Sequence, residues 1–79
     1  MKNLLESIIK EIVDHPEKVV VEEVEDNGLI SLKLSVAPED MGKVIGKGGK
    51  IIKAIRNLMK IKAVKDQKRI MVNLVDHDH

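Results

Sequence analysis

The sequence contains no cysteine, no aromatic residue and no threonine, and has serine only at Ser7, Ser31 and Ser35. Without cysteine, no disulfide can staple a 79-residue chain whose single core is marginal in size, so oligomerisation is one route to further burial. The same absence fits a reducing compartment. Without Phe, Tyr or Trp, bases cannot stack on aromatic rings, the usual device of RNA-recognition sheets and single-strand grooves. Any base recognition must rely on aliphatic contacts and hydrogen bonds. No apolar run approaches the roughly 18 residues of a membrane span. The first residues, Met1–Glu6, turn polar too soon for a signal peptide. A cytoplasmic protein without membrane contact is expected. Catalytic pairs are missing too. The three histidines fall in a turn (His15) and in the last residues (His77, His79), and the carboxylates are spread along exposed faces. The expectation is no enzyme, no catalytic residue, no cofactor and no metal, because His77 and His79 are two exposed ligands on a polar end.

Charge is abundant and segregated behind a net value of +1. Residues 1–40 carry four basic and ten acidic side chains, a net of −6. Residues 41–70 carry ten basic side chains and one acid, Asp66, a net of +9. A basic half on a nearly neutral chain is an electrostatic footprint for a polyanion. A lysine-rich solvated helix would show the same charge run. What separates the two readings is the segment inside it, Gly46-Lys47-Gly48-Gly49-Lys50-Ile51, preceded by Val44-Ile45 and followed by Ile52. Glycine lets backbone amides approach a ligand without a Cβ in the way. A helix start directly afterwards adds unpaired N–H donors and the positive end of a dipole. Lysines on both sides add full charge, and the whole reads as a phosphate grip.

Hydrophobic spacing gives the element order. Leu4, Leu5, Ile8, Ile9, Ile12 and Val13 recur at helical spacing over 3–14, and His15-Pro16 ends that helix. Residues 19–25 read as a strand, Asp26-Asn27-Gly28 as a hairpin turn and 29–36 as the return strand. That register pairs Val19 with Val36, Val21 with Leu34 and Glu22 with Lys33. It also sets Glu23 against Leu32, an awkward pair at the core edge. Pro38-Glu39-Asp40 opens a short helix to about Ile45. After the glycine loop comes a helix from about Lys50 to Ala63, a polar loop over 64–68 and a last strand, 69–75. The order α-β-β-α-α-β implies a two-layer α+β domain: a three-stranded mixed sheet covered on one face by three helices. Residues 1–76 form this single domain. Residues 77–79 are expected to be a polar, frayed tail.

This order, together with Val44-Ile45-Gly46-Lys47-Gly48-Gly49-Lys50-Ile51-Ile52, resembles a KH domain of type II. The G-x-x-G hallmark, after an Ile and between two helices, stands here as Gly46-Lys47-Gly48-Gly49. Size and isolation make the chain similar to the small stand-alone bacterial KH proteins of the KhpA type. The resemblance spans residues 3–75. It implies a cytoplasmic, single-stranded RNA-binding protein that acts as an RNA chaperone or post-transcriptional regulator. It further implies a homodimer and pairing with a second, larger, multidomain KH protein.

The resemblance also assigns roles. Gly46 and Gly49 let the loop turn against the strand, Lys47 and the Gly48 amide meet phosphate oxygens, and Lys50 adds charge at the helix start. Lys53, Arg56 and Lys60 extend the positive stripe, Lys43 stands before the loop, and Lys65, Lys68 and Arg69 close the far side. Val44, Ile45 and Ile51 form one aliphatic wall for the bases, with Ile70 and Val72 as the other; the alternative for these residues is plain core, and for Ile51, Ile70 and Val72 the two readings weigh equally. The long helix carries an apolar arc of roughly 180°, where one sheet-packed face needs about 100°. Its surplus edge, Ala54, Leu58 and Ile61, is the expected self-association surface; the alternative is that the last strand and its loop cover it.

Rival readings remain. A Walker loop fails on spacing, because Gly42 and Gly46 enclose three residues and no Ser or Thr follows Lys47 or Lys50. A helix-turn-helix could set Lys50, Lys53 and Asn57 against duplex DNA bases. A protein-interaction adaptor with secondary RNA binding would use the apolar edge of the long helix.

Overall fold

A computed structural model describes residues 1–75; the last residue of the expected domain, 76, and the expected polar tail, 77–79, lie outside the described residues. The elements are α1 (Lys2–Ile12), β1 (Val20–Asp26), β2 (Leu29–Ser35), α2 (Met41–Ile45), α3 (Lys50–Lys65) and β3 (Arg69–Leu74). The sheet order is β1-β2-β3, with β1 and β2 antiparallel and β2 and β3 parallel. This is the expected mixed sheet, and it leaves β3 as an edge strand.

Turn chemistry fixes the β1–β2 register. Asn27 and Gly28 both take positive φ, 51° and 80°, as a tight two-residue hairpin requires. Val21 then faces Leu34, Glu22 faces Lys33 and Glu23 faces Leu32, as the sequence implied. Val19 falls one residue before the ladder, which starts at the Val20–Ser35 pair. The Glu23–Leu32 mismatch has a purpose. The Glu23 carboxylate accepts the Lys2 amide at 2.9 Å and lies 3.7 Å from the Met1 amine. It therefore serves the otherwise uncapped start of α1.

The buried face of the sheet is aliphatic. Val21, Ile30, Leu32, Leu34, Ile70 and Val72 meet Leu5 and Ile9 of α1, Val44 of α2, and Ile52, Ile55, Met59 and Ala63 of α3. The α3 residues repeat at three- and four-residue steps, one face of a helix.

Proline-led 3-10 turns stand between α1 and β1, at Pro16–Lys18, and before α2, at Pro38–Asp40. The segment expected to be one helix from Pro38 begins as a 3-10 turn, Pro38–Asp40, before α2. Its last residue, Asp40, has 0% exposure and is the one buried charged side chain among the described residues. Its two carboxylate oxygens accept the amides of Asp14 (3.1 Å) and His15 (2.9 Å), which the end of α1 leaves unpaired. Asp40 thus ties the α1–β1 turn to the start of α2 and sets where α2 points. Replacing Asp40 by Ala orphans both amides. The expected cost is about 2–3 kcal/mol, or a fall in Tm of about 10–20 °C for a domain of this size. Thermal denaturation followed by circular dichroism measures it directly.

Candidate nucleic-acid interface

α2 ends because Gly46 leaves helical space. Its φ of 72° and ψ of 174° lie in a region only glycine occupies without strain. Space imposes the same choice, since a Cβ at position 46 would stand 2.6 Å from Cγ1 of Ile51. Gly48 and Gly49 follow in left-handed geometry, φ 65° and 78°, and the chain turns into α3.

The loop's hydrogen bonds leave its outer amides available. Gly46 donates to the Gly42 carbonyl (2.9 Å) and Gly49 to the Gly46 carbonyl (3.2 Å). Lys50 donates to Lys47. The amides of Lys47 and Gly48 open the turn and have no backbone acceptor among the described residues. Lys47, Gly48 and Lys50 are exposed, while Gly46 and Gly49 are half-buried. Directly behind the loop, α3 starts with no side-chain cap and no acid in its first turn. Its dipole and first amides face outward with no compensating carboxylate of their own.

A groove runs along the flank of α3 and the free edge of β3. It extends from the level of Arg56 and Asn73 to the α3–β3 turn. Its first part, about 210 Å³, is lined by Arg56, Lys60, Ile70, Met71, Val72 and Asn73. Its second part, about 310 Å³, is lined by Lys60, Ala63, Val64, Lys68, Arg69 and Ile70. The floor is aliphatic and the rim cationic. Lys53, Arg56 and Lys60 stand at i, i+3 and i+7 on the α3 flank, a stripe continuous with Lys47 and Lys50.

Two of the expected cations are engaged elsewhere. Lys43 pairs with Asp14 at 2.7 Å, and Lys68 with Glu25 at 2.7 Å. Hydrogen bonding to Asp14 raises the Lys43 ammonium above its ordinary value and lowers Asp14 below its own. The Glu25 hydrogen bond likewise raises Lys68. Both pairs are solvent-exposed and cost little to open. Lys47, Lys50, Lys53, Arg56, Lys60, Lys62, Lys65 and Arg69 have no carboxylate partner among the described residues.

The aliphatic residues divide. Ile70 and Val72 line the groove from beneath. Ile51 packs against Gly46 and is 37% exposed. Ile45 is half-buried at the end of α2. Val44 is fully buried and offers its side chain to the core alone. On the far flank of α3, Ala54, Leu58 and Ile61 are exposed, Leu58 by 48% and Ile61 by 60%. With Ile51 they form a second apolar stripe at positions 51, 54, 58 and 61, the three- and four-residue steps of a helix–helix seam. The last strand and its loop do not cover it.

Two features escaped the sequence reading. Met71 and Asn73 join the groove rim because β3 is an edge strand, which only the strand order reveals. The Arg56 Nε also donates to the Val72 carbonyl across the groove at 3.1 Å. The helix-turn-helix alternative finds no support: α2 has five residues, and the connection bends through three positive-φ glycines against a sheet-backed groove.

Comparison with known proteins places the geometry. The family model described as KhpA/KhpB, KH domain matches residues 2–74. An RNA-binding protein KhpA of Clostridium acetobutylicum is 56% identical over 75 residues, covering 95% of this chain and all of the relative. The RNA-binding protein KhpA of Caldanaerobacter subterraneus subsp. tengcongensis is 48% identical over the same shares. That of Listeria monocytogenes is 46% identical over 76 residues, covering 96% of this chain and all of the relative.

Proposed function

The chain belongs to the KhpA/KhpB KH-domain family, and from that premise we propose that it binds single-stranded RNA, gripping the backbone with Gly46–Gly49 and seating bases in the α3–β3 groove. The observation that carries this reading is the pair of unengaged amides at Lys47 and Gly48, at the start of the helix, α3, whose flank lines a groove with unpaired cations along its rim. Phosphates meet Lys47, the Gly48 amide, Lys50 and the first turn of α3. Lys53, Arg56, Lys60 and Arg69 carry the charge onward, and Lys43 joins by exchanging Asp14 for phosphate. Ile70 and Val72 supply the aliphatic floor, with Ile45 and Ile51 buttressing the loop. Val44 holds α2 to the core. In a chain without aromatic stacking each domain binds weakly and without strong sequence demands, the behaviour of an RNA chaperone or a post-transcriptional regulator in the cytoplasm.

The α3 stripe of Ala54, Leu58 and Ile61 completes the reading as a self-association surface. A homodimer presents two grooves on one RNA and raises the effective concentration for the second contact. The same stripe is where a second, larger KH protein would pair with this one.

Neutralising about four phosphates per domain gives a slope of log K against log salt near −3. Fluorescence anisotropy of a labelled single-stranded RNA across a salt series reads that slope. A flat response would remove the electrostatic grip from the mechanism.

A further inference from the structure

Two cations of the basic half are held by acids from the other half of the chain, and they stand at opposite ends of α3. Lys43, one helical turn before Gly46, pairs with Asp14 at 2.7 Å. Lys68, in the turn after α3, pairs with Glu25 at 2.7 Å and lines the far part of the groove. The 16 residues of α3 separate the loop from that turn, a rise of about 24 Å. Between these ends Lys47, Lys50, Lys53, Arg56 and Lys60 have no carboxylate partner among the described residues.

Both carboxylates are placed by the fold. Asp14 follows the end of α1, and the buried Asp40 carboxylate accepts its amide at 3.1 Å. Glu25 belongs to β1 and stands opposite Ile30 in the hairpin ladder. The turn that carries Lys68 is tied to the same hairpin by the Arg69 amide, which donates to Gly28 at 2.9 Å. The lysines are the movable partners, each an ammonium on a flexible four-carbon stem. Either can leave its carboxylate for a phosphate, but the carboxylate stays beside it at high effective concentration. The acid therefore competes for the ammonium as a strand arrives and recaptures it as the strand leaves. Stapling the fold would be a weak use of either pair, because exposed ion pairs contribute little to stability.

We propose that Asp14 and Glu25 are internal competitors for RNA phosphate: by holding Lys43 and Lys68 they lower the affinity of the domain and hasten release of the strand. This rests on the RNA-binding reading above and adds to it two residues that touch no RNA. The uncontested grip is then the glycine loop and the cations along α3, while the contacts at either end exchange readily. Release is regulated by the acidic half of the chain, which the fold brings back against the basic half.

The test measures affinity and dissociation rate for a uridine decamer, rU10, by fluorescence anisotropy and stopped flow at fixed salt. The variants are Asp14→Asn and Glu25→Gln, each alone and each combined with the change that removes its partner, Lys43→Gln or Lys68→Gln. Both acids are exposed, and circular dichroism verifies that every variant keeps its fold. Each acid variant is expected to bind rU10 about two- to fivefold more tightly, the scale of one exposed ion pair, with a slower dissociation rate. In the background that lacks the partner lysine the same substitution is expected to gain nothing, which the double-mutant cycle reads directly. A gain of equal size with and without the lysine would reduce the acids to general repulsion of RNA and overturn the inference. Unchanged or weaker binding in either acid variant would overturn it for that pair, because the acid would then be positioning its lysine rather than withholding it. Absence of rU10 binding by the wild-type protein would instead defeat the RNA-binding reading itself, and this inference with it.

Discussion

Replacing Lys47 and Gly48 together by Asp is expected to weaken binding of single-stranded RNA roughly 100-fold or more, with the fold intact. Each site loses a charge-assisted contact to phosphate, worth about 1.5–3 kcal/mol, and each new carboxylate repels the backbone it should hold. The fold survives for local reasons. Lys47 is exposed, and Gly48 has φ 65° and ψ 19°, the left-handed well that Asp tolerates better than most residues. A Cβ at 48 meets no neighbouring heavy atom within 4 Å. Position 46 would be a poor choice for the same experiment, because there a side chain collides with Ile51 and the loop itself distorts. A gel shift with native circular dichroism and unchanged affinity would remove the loop from the site.

Leu58→Asp, and separately Ile61→Asp, is expected to convert a dimer into monomers. Both side chains stand well clear of the core, with 48% and 60% exposure, so the isolated domain tolerates the charge. In a two-fold interface each substitution occurs twice across the seam. An unpaired carboxylate pressed into an apolar contact costs several kcal/mol, roughly a 100-fold or larger rise in the dissociation constant. Sedimentation at micromolar concentration should report the mass of one chain for the variants and two for the wild type. Affinity for a long RNA should fall with it as the second groove is lost. An unaltered mass in both variants would clear these residues of the role.

Much of the fold was legible because local rules dominate it. Asn27-Gly28 dictates a tight hairpin, and that alone fixes which of Glu22 and Glu23 meets Lys33. Pro16 marks where α1 cannot run on, and Pro38 marks the approach to α2. Gly46-Lys47-Gly48-Gly49 announces a bend between helices. What stayed hidden depends on contacts distant in sequence. Asp40 looked like an acid favouring a helix start, whereas its carboxylate is spent on amides 25 and 26 residues away. Glu23 looked misplaced until the start of α1 arrived beside it. Lys43 and Lys68 read as free cations beside the loop and the last turn, and their partners Asp14 and Glu25 come from the acidic half of the chain. The segregation of charge in sequence is therefore partly undone in space. α3 also ends later than its pattern suggested, at Lys65. Gln67 at φ 58° lets Lys68 and Gln67 donate to the carbonyls of Ala63 and Val64, a cap that usually calls for glycine.

The most direct test is an amide chemical-shift titration of the isotopically labelled protein with a short single-stranded RNA. The expected result is that Lys47 and Gly48 move first and furthest, followed by the first turn of α3 and by Ile70 and Val72 on the β3 edge. Shifts confined to α1, to β1 or to the open face of the sheet around Val20 and Val24, with the loop amides unmoved, would contradict it.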